Sequence, residues 1–243
     1  MDSYRVRAHN TAPDSENRIH DDQTAAAYGF RAALVPGVTV YGYLTVPVRE
    51  RFGEDWLSRG GMHVRFLEPI YDGDEIIVTL SGDVLGASRQ DGTVCATGEI
   101  FWPDEPAPPL ALYPEEPMPA VRPRASAESL APGRILGTLC AELPMADPAA
   151  LLTLSNHLLM NNVQLGPWIH VPSEVGHFSL ARNGDRLSVR GRVAERFERK
   201  GHQFVVLDIV VVAGGEGHLR HVQHVRHTAI YELRPPESAK RME

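Results

Sequence analysis

The chain has 243 residues, 43% of them hydrophobic and 23% charged, enough to bury one large core or two modest ones, and its composition is that of a globular protein. A formal charge of -7 gives no basic footprint for nucleic acid, although Arg and His are dense near the C-terminus. No apolar run approaches ~20 residues and the first residues, MDSYRVRAHN, lack an apolar signal core, so neither membrane insertion nor export is expected and the expected location is the cytoplasm. Cys95 and Cys140 fall inside expected strands without a CxxC spacing, which reads as two reduced structural cysteines rather than a disulfide or a zinc site.

In chain order, residues 4–9 alternate as a first strand and 10–15 form a polar loop. Asn17-Arg18-Ile19-His20-Asp21-Asp22 then puts an amide, an imidazole and carboxylates ahead of a small-residue helix over 24–28, with Asp21 or Asp22 as its N-cap. After Gly29-Phe30, the turn Val35-Pro36-Gly37 opens a second helix whose apolar residues Val38, Tyr41, Leu44 and Val48 recur at three or four, so that this face should be buried. Pro47 lies inside it, removes a backbone bond and is expected to bend it there. Residues 53–61 read as loop, 62–67 as a strand, 68–74 as a turn around Asp72-Gly73, 75–87 as a second strand, Gln90-Asp91-Gly92 as a hairpin signal and 93–102 as a third strand.

Nine prolines in the thirty residues 103–132 mark an extended linker lying across a surface. Beyond it the outline repeats. Residues 134–143 resemble a strand, Asp147-Pro148 opens a helix to about Asn161, and strands follow over 169–180, 187–197, 204–212 and 219–233, punctuated by Asn183-Gly184-Asp185, Lys200-Gly201 and Gly214-Gly215. Asn183-Gly184-Asp185 lies 111 residues after Asp72-Gly73-Asp74, and Asp147 lies 111 after Pro36, the mark of an internal repeat. The expected units are 1–102, a linker 103–132, and a second unit 133–243 that acts as scaffold and pocket wall. His218, His221, His224 and His227 recur at every third position, which on a strand alternates faces, so they read as surface or core histidines rather than as a metal site.

The stretch 17–56 resembles the MaoC-like, (R)-specific enoyl-CoA hydratases of the hot-dog fold. Their hydration motif reads roughly Asp-x-Asn-Pro-Ile/Leu-His, followed by a small-residue helix, Gly-Phe and a glycine opening the central helix. Asn17, Ile19, His20, Ala25, Ala26, Ala27, Gly29, Phe30 and Gly37 fall on that pattern. Ser15 stands where the family has its catalytic aspartate and Arg18 where it has proline, and Asp14 and Glu16 flank the serine out of register. With the repeat, the resemblance implies an α+β tandem (double) hot-dog, two central helices each wrapped by an antiparallel sheet, because a single hot-dog sheet leaves an edge that a second copy covers. It implies an acyl-CoA or carrier-bound acyl thioester as ligand, no cofactor or metal, and a homodimer of double hot-dogs as one assembly.

For chemistry it implies a hydratase or dehydratase. His20 would be acid/base, Asn17 its orienter, the Gly37 amide the donor to a developing oxyanion, and Ser15 a hydroxyl that holds water or the thioester oxygen. Full activity would need Asp14 or Glu16 to approach His20 in place of the missing aspartate. The alternatives are a hot-dog thioesterase acting on the same ligand class and a non-catalytic acyl-thioester binding protein.

Overall fold

The structure, a computed structural model, describes residues 2–142, 146–214 and 218–234. Strand β1 (Asp2–Arg7) leads through the polar loop to a single 3-10 turn (Arg18–His20) and helix α1 (Asp22–Ala27), where Asp21 is the N-cap and accepts from the Thr24 N–H at 2.9 Å. Helix α2 (Gly37–Arg59) follows, then β2 (Gly61–Phe66), β3 (Glu75–Ser81), β4 (Val84–Arg89) and β5 (Val94–Phe101). The second half contributes β6 (Leu139–Glu142), α3 (Pro148–Asn162), β7 (Ile169–His177), β8 (Arg186–Arg199), β9 (His202–Ala213) and β10 (Arg220–Glu232). Asp147 caps α3 by accepting from Ala149 and Ala150, and Pro148 fills the first turn, where its missing N–H costs nothing.

All ten strands form one antiparallel sheet in the order β1-β3-β4-β5-β2-β7-β10-β9-β8-β6. Outward from the seam, β2-β5-β4-β3-β1 and β7-β10-β9-β8-β6 are the same order when β6 is counted as the first strand of its half. The 111-residue offset predicts this. The seam is the antiparallel pair β2 and β7, in register from Gly61 opposite Gly176 to Val64 opposite Ser173. Helix α2 packs against β1, β2, β3, β4 and β7, helix α3 packs against β6, β8 and β10, and the two helices touch each other. They approach closely at Gly42, where an added Cβ would stand 3.1 Å from the Cβ of Ala149. Tyr41, Leu44 and Val48 are fully buried, as their spacing predicts, together with Leu152, Leu158 and Leu159 of α3.

Several boundaries differ from the sequence reading. The non-helical point inside α2 is Gly53 (φ 57°, ψ -138°) rather than Pro47, and the helix continues through most of the expected loop to Arg59. Fully buried neighbours on both sides of Pro47 outweigh one missing backbone bond, whereas Gly53 adopts a conformation that a side chain disfavours. The single strand expected over 75–87 is two strands joined at Gly82 (φ 60°). The strand expected over 134–143 shrinks to β6, with Leu143 outside the described residues, and the strand expected to reach Leu180 ends at His177. Gly215 and the C-terminal residues 235–243 also lie outside the described residues.

The proline-rich segment is pinned to the second half. Tyr113 is buried and its hydroxyl donates to Asp208 Oδ1 at 2.8 Å, Thr138 N–H donates to Glu116 O at 2.7 Å, and residues 123–125 bond to Gln164. Cys95 is buried in β5 and Cys140 is exposed in β6. No helix of the described residues is long and apolar enough to cross a membrane.

Candidate active site

Two cavities meet beneath the 3-10 turn that carries His20. The smaller, about 230 Å³, is apolar: Ile19, Phe30, Val40, Phe66, Ile70 and Ile230 line it, with Gly37 at its wall. The larger, about 770 Å³, is the groove between α2 and α3. It is lined by residues at helical spacing on each: Val38, Thr39, Gly42, Tyr43, Val46 and Arg49 on one side, and Ala149, Ala150, Thr153, Asn156, His157 and Met160 on the other. The loop of Thr11 to Ser15 closes its end. Asn17, His20, Pro36, Asn156 and Trp168 line both cavities and so form the wall between them.

His20 is held from both sides. Its Nδ1 lies 2.7 Å from Leu34 O, and since a carbonyl only accepts, Nδ1 carries the hydrogen and the lone pair of the neutral ring is on Nε2. Leu34 is fixed in turn by its N–H to Ile19 O and by a β-bridge to Tyr71. Nε2 receives a long contact, 3.3 Å, from Asn17 Nδ2. Burial lowers the His20 pKa below its ordinary 6.5, with the Leu34 bond opposing, so the imidazole is neutral at pH 7 and Nε2 is a base.

Asn17 is buried and does more than face His20. Its Oδ1 accepts from the Trp168 N–H at 3.1 Å and its Nδ2 donates to Trp168 O at 2.9 Å, a two-bond clamp from the first half to the residue just before β7. Ser15 accepts from the Asn17 N–H through Oγ at 3.1 Å and lines only the larger cavity. Gly37 lines only the smaller. As the first residue of α2, its N–H has no intrahelical acceptor, and neither it nor the Val38 N–H is bonded elsewhere among the described residues. The structure therefore brings Asn17 and His20 together and sets Ser15 and Gly37 on opposite sides of them.

Neither flanking carboxylate is hydrogen-bonded to His20. Glu16 pairs with Arg122 at 2.9 Å, and Asp14, in the wall of the larger cavity, makes no hydrogen bond to His20. The larger cavity holds one arginine, Arg49, already paired with Asp147 at 3.2 Å.

Polar residues of the second half also reach the cavities, beyond those the sequence singled out as catalytic. Asn156 and Trp168 stand in the shared wall, and His170 lines the smaller cavity. His170 is buried, with Nε2 2.8 Å from Ser173 Oγ, which lies 3.1 Å from His227 Nδ1. Burial and the neighbouring His227 hold the His170 pKa well below 6.5, and burial lowers that of His227 to about 3, so both rings are neutral. The alignment comes from a β-bulge: Ser173 is opposite His227 but His170 is opposite Ala229, so three residues on β7 match two on β10. Pro172, inside the bulge, is the sequence signal, because a proline within a strand marks an edge or a bulge. His224 lies on the other face of β10, paired with Asp208 at 2.7 Å. Among the described residues no three His, Cys, Asp or Glu side chains are grouped to hold a metal ion.

No protein-family model matches the sequence, and no curated protein matches it. Solved structures do. A conserved protein of Mycobacterium tuberculosis with a double hot-dog fold superposes with a TM-score of 0.62 at 14% identity, over 94% of this chain and 95% of that one. A MaoC domain protein dehydratase from Chloroflexus aurantiacus gives 0.55 at 11% identity, over 96% and 95%. A Lactobacillus plantarum protein described as an oleoyl thioesterase gives 0.52 at 9%, over 95% and 96%. Likeness at these identities fixes the fold and not the reaction: the chain has a double hot-dog fold.

Proposed function

We propose that the protein is a hydratase/dehydratase of acyl thioesters, of the enoyl-CoA and 3-hydroxyacyl-CoA kind, with α2 and α3 as the central helices of two hot-dog units, 1–102 and 133–243, joined by the strap 103–132. The observation that carries this reading is the wall between the cavities, where a base of fixed tautomer, His20 Nε2, stands between a groove with several polar groups and an apolar chamber whose lining includes Gly37, its N–H unbonded among the described residues. A thioester bound across that wall has its acyl chain in the chamber and its pantetheine arm in the groove.

The chemistry is then a syn elimination run by one imidazole. His20 Nε2 takes the α-proton, the C–H electron pair moves onto the thioester oxygen, and the Gly37 N–H at the positive end of α2 stabilises that oxyanion. The enolate collapses to the Cα=Cβ double bond as the Cβ–O bond breaks, and the departing oxygen takes the proton from the His20 imidazolium to leave as water. Hydration is the reverse. With Ser15 in place of a carboxylic acid, one positioned acid/base group is missing, and turnover should lie ~10²–10⁴-fold below that of a two-group site.

Hydrolysis is the second reading, favoured by the same absence, because one base activating water suffices for it. Loss of enoyl absorbance from crotonyl-CoA tests hydration and free-thiol release tests hydrolysis. Thermal stabilisation by acyl-CoA with neither signal would leave a binding protein, and no stabilisation at all would remove the thioester reading.

A further inference from the structure

Asn156, like Trp168 and His170, presents a buried polar atom at the cavities that has no hydrogen-bond partner among the described residues. It is the residue of α3 that lines both of them, and its Oδ1 is buried and takes no hydrogen bond among the described residues. A buried amide oxygen left unpaired is costly, and the same helix satisfies its other amides: Asn161 donates to His157 O, and Asn162 bonds to Leu158 and Gly137. No hydrogen bond among the described residues occupies the Asn156 Oδ1. It shares the dividing wall with His20 but comes from the opposite half of the chain.

We propose that Asn156 binds the oxygen on the β-carbon of the substrate, the hydroxyl that leaves as water or the water that attacks, across from His20 Nε2. This rests on the thioester reading above and adds to it the residue that selects thioesters with a 3-hydroxyl group over saturated acyl thioesters. An amide fits a hydroxyl because it offers both a donor and an acceptor, so O–H is bound whichever way it points. The amide does not itself move a proton. It holds the β-oxygen where the His20 imidazolium delivers one, a place that the absent aspartate leaves without a partner. Asn156 is thus a substrate-binding residue whose effect is read in selectivity.

Two ligands differing only by that hydroxyl test it: 3-hydroxybutyryl and butyryl thioesters, each as the CoA and as the pantetheine ester, titrated calorimetrically into wild type and Asn156→Leu. Leucine is a good helix former of similar size, so α3 should persist, as far-UV circular dichroism will verify. Wild type should bind the hydroxylated ligand roughly threefold to tenfold more tightly, the share of one neutral hydrogen bond, and Asn156→Leu should bind the two alike. Equal binding of both ligands by wild type, or a preference that survives in Asn156→Leu, overturns the assignment and leaves the thioester site standing. If wild type binds none of the four esters, the thioester reading falls and this inference with it.

Discussion

Asn17 offers the sharpest test of how the two halves are joined at the site. The resemblance casts it as an orienter of His20, yet its two best bonds go to the backbone of Trp168, 151 positions away in sequence, at 2.9 and 3.1 Å. Asn17 is 4% exposed and Trp168 2%, so Asn17→Ala leaves a buried N–H and a buried C=O without partners. Each costs about 1–3 kcal/mol, and water entering from the adjoining cavities pulls the sum toward about 2–3 kcal/mol. For a chain of this size that is a fall in Tm of about 5–10 °C. His20→Ala, which removes one bond to Leu34 O, should cost only about 1 kcal/mol. Urea unfolding of the three proteins, followed by circular dichroism, gives the comparison. An Asn17→Ala protein within about 0.5 kcal/mol of wild type would refute the clamp.

Three further outcomes are expected. His20→Ala should abolish crotonyl-CoA hydration and Ser15→Asp should raise it, while the wild-type rate should hold as pH falls past 6.5 and drop only where the lowered His20 pKa lets the base protonate; rates at background in all three proteins would end the hydratase reading. Gly37→Ala should cut turnover sharply, because its Cβ would stand 2.8 Å from His170 Nδ1, a ring braced by Ser173 and unable to swing away; a fully active Gly37→Ala protein would show that α2 starts elsewhere. Stability should fall with acidification: burial lowers the pKa from 6.5 to about 4 for His177 and about 3 for His227, so below pH 6.5 the unfolded chain binds the extra protons. Each ring then costs up to ~1.4 kcal/mol per pH unit, and His177→Phe, which keeps a ring against Trp56, should make the slope shallower between pH 6 and 5 by one residue's share.

Local chemistry was enough to place most elements. The Asp21 and Asp147 caps, the spacing of Tyr41, Leu44 and Val48, and the turns at Gly73, Gly92 and Gly184 are interactions within a few residues, so they are legible without knowing the fold. The equal spacing of Pro36 with Asp147 and of the two Gly-Asp turns carried the repeat, and with it the matching strand order of the halves. His20 and Gly37 were legible as candidates because their motif is contiguous. What tertiary structure alone decided is what depends on partners far along the chain. Proline's local penalty predicted a bend at Pro47, but burial on both sides kept the helix and the break fell at Gly53. Asn17 became a clamp because Trp168 is brought to it, and Glu16 turned to Arg122 instead of to His20. His170, Ser173 and His227 share a face only through the register slip at Pro172, since residues three apart on a regular strand point to opposite sides. Asn156 reaches the wall it shares with His20 because α2 and α3 lie side by side with Gly42 against Ala149, a closeness set by packing between halves that no local pattern encodes.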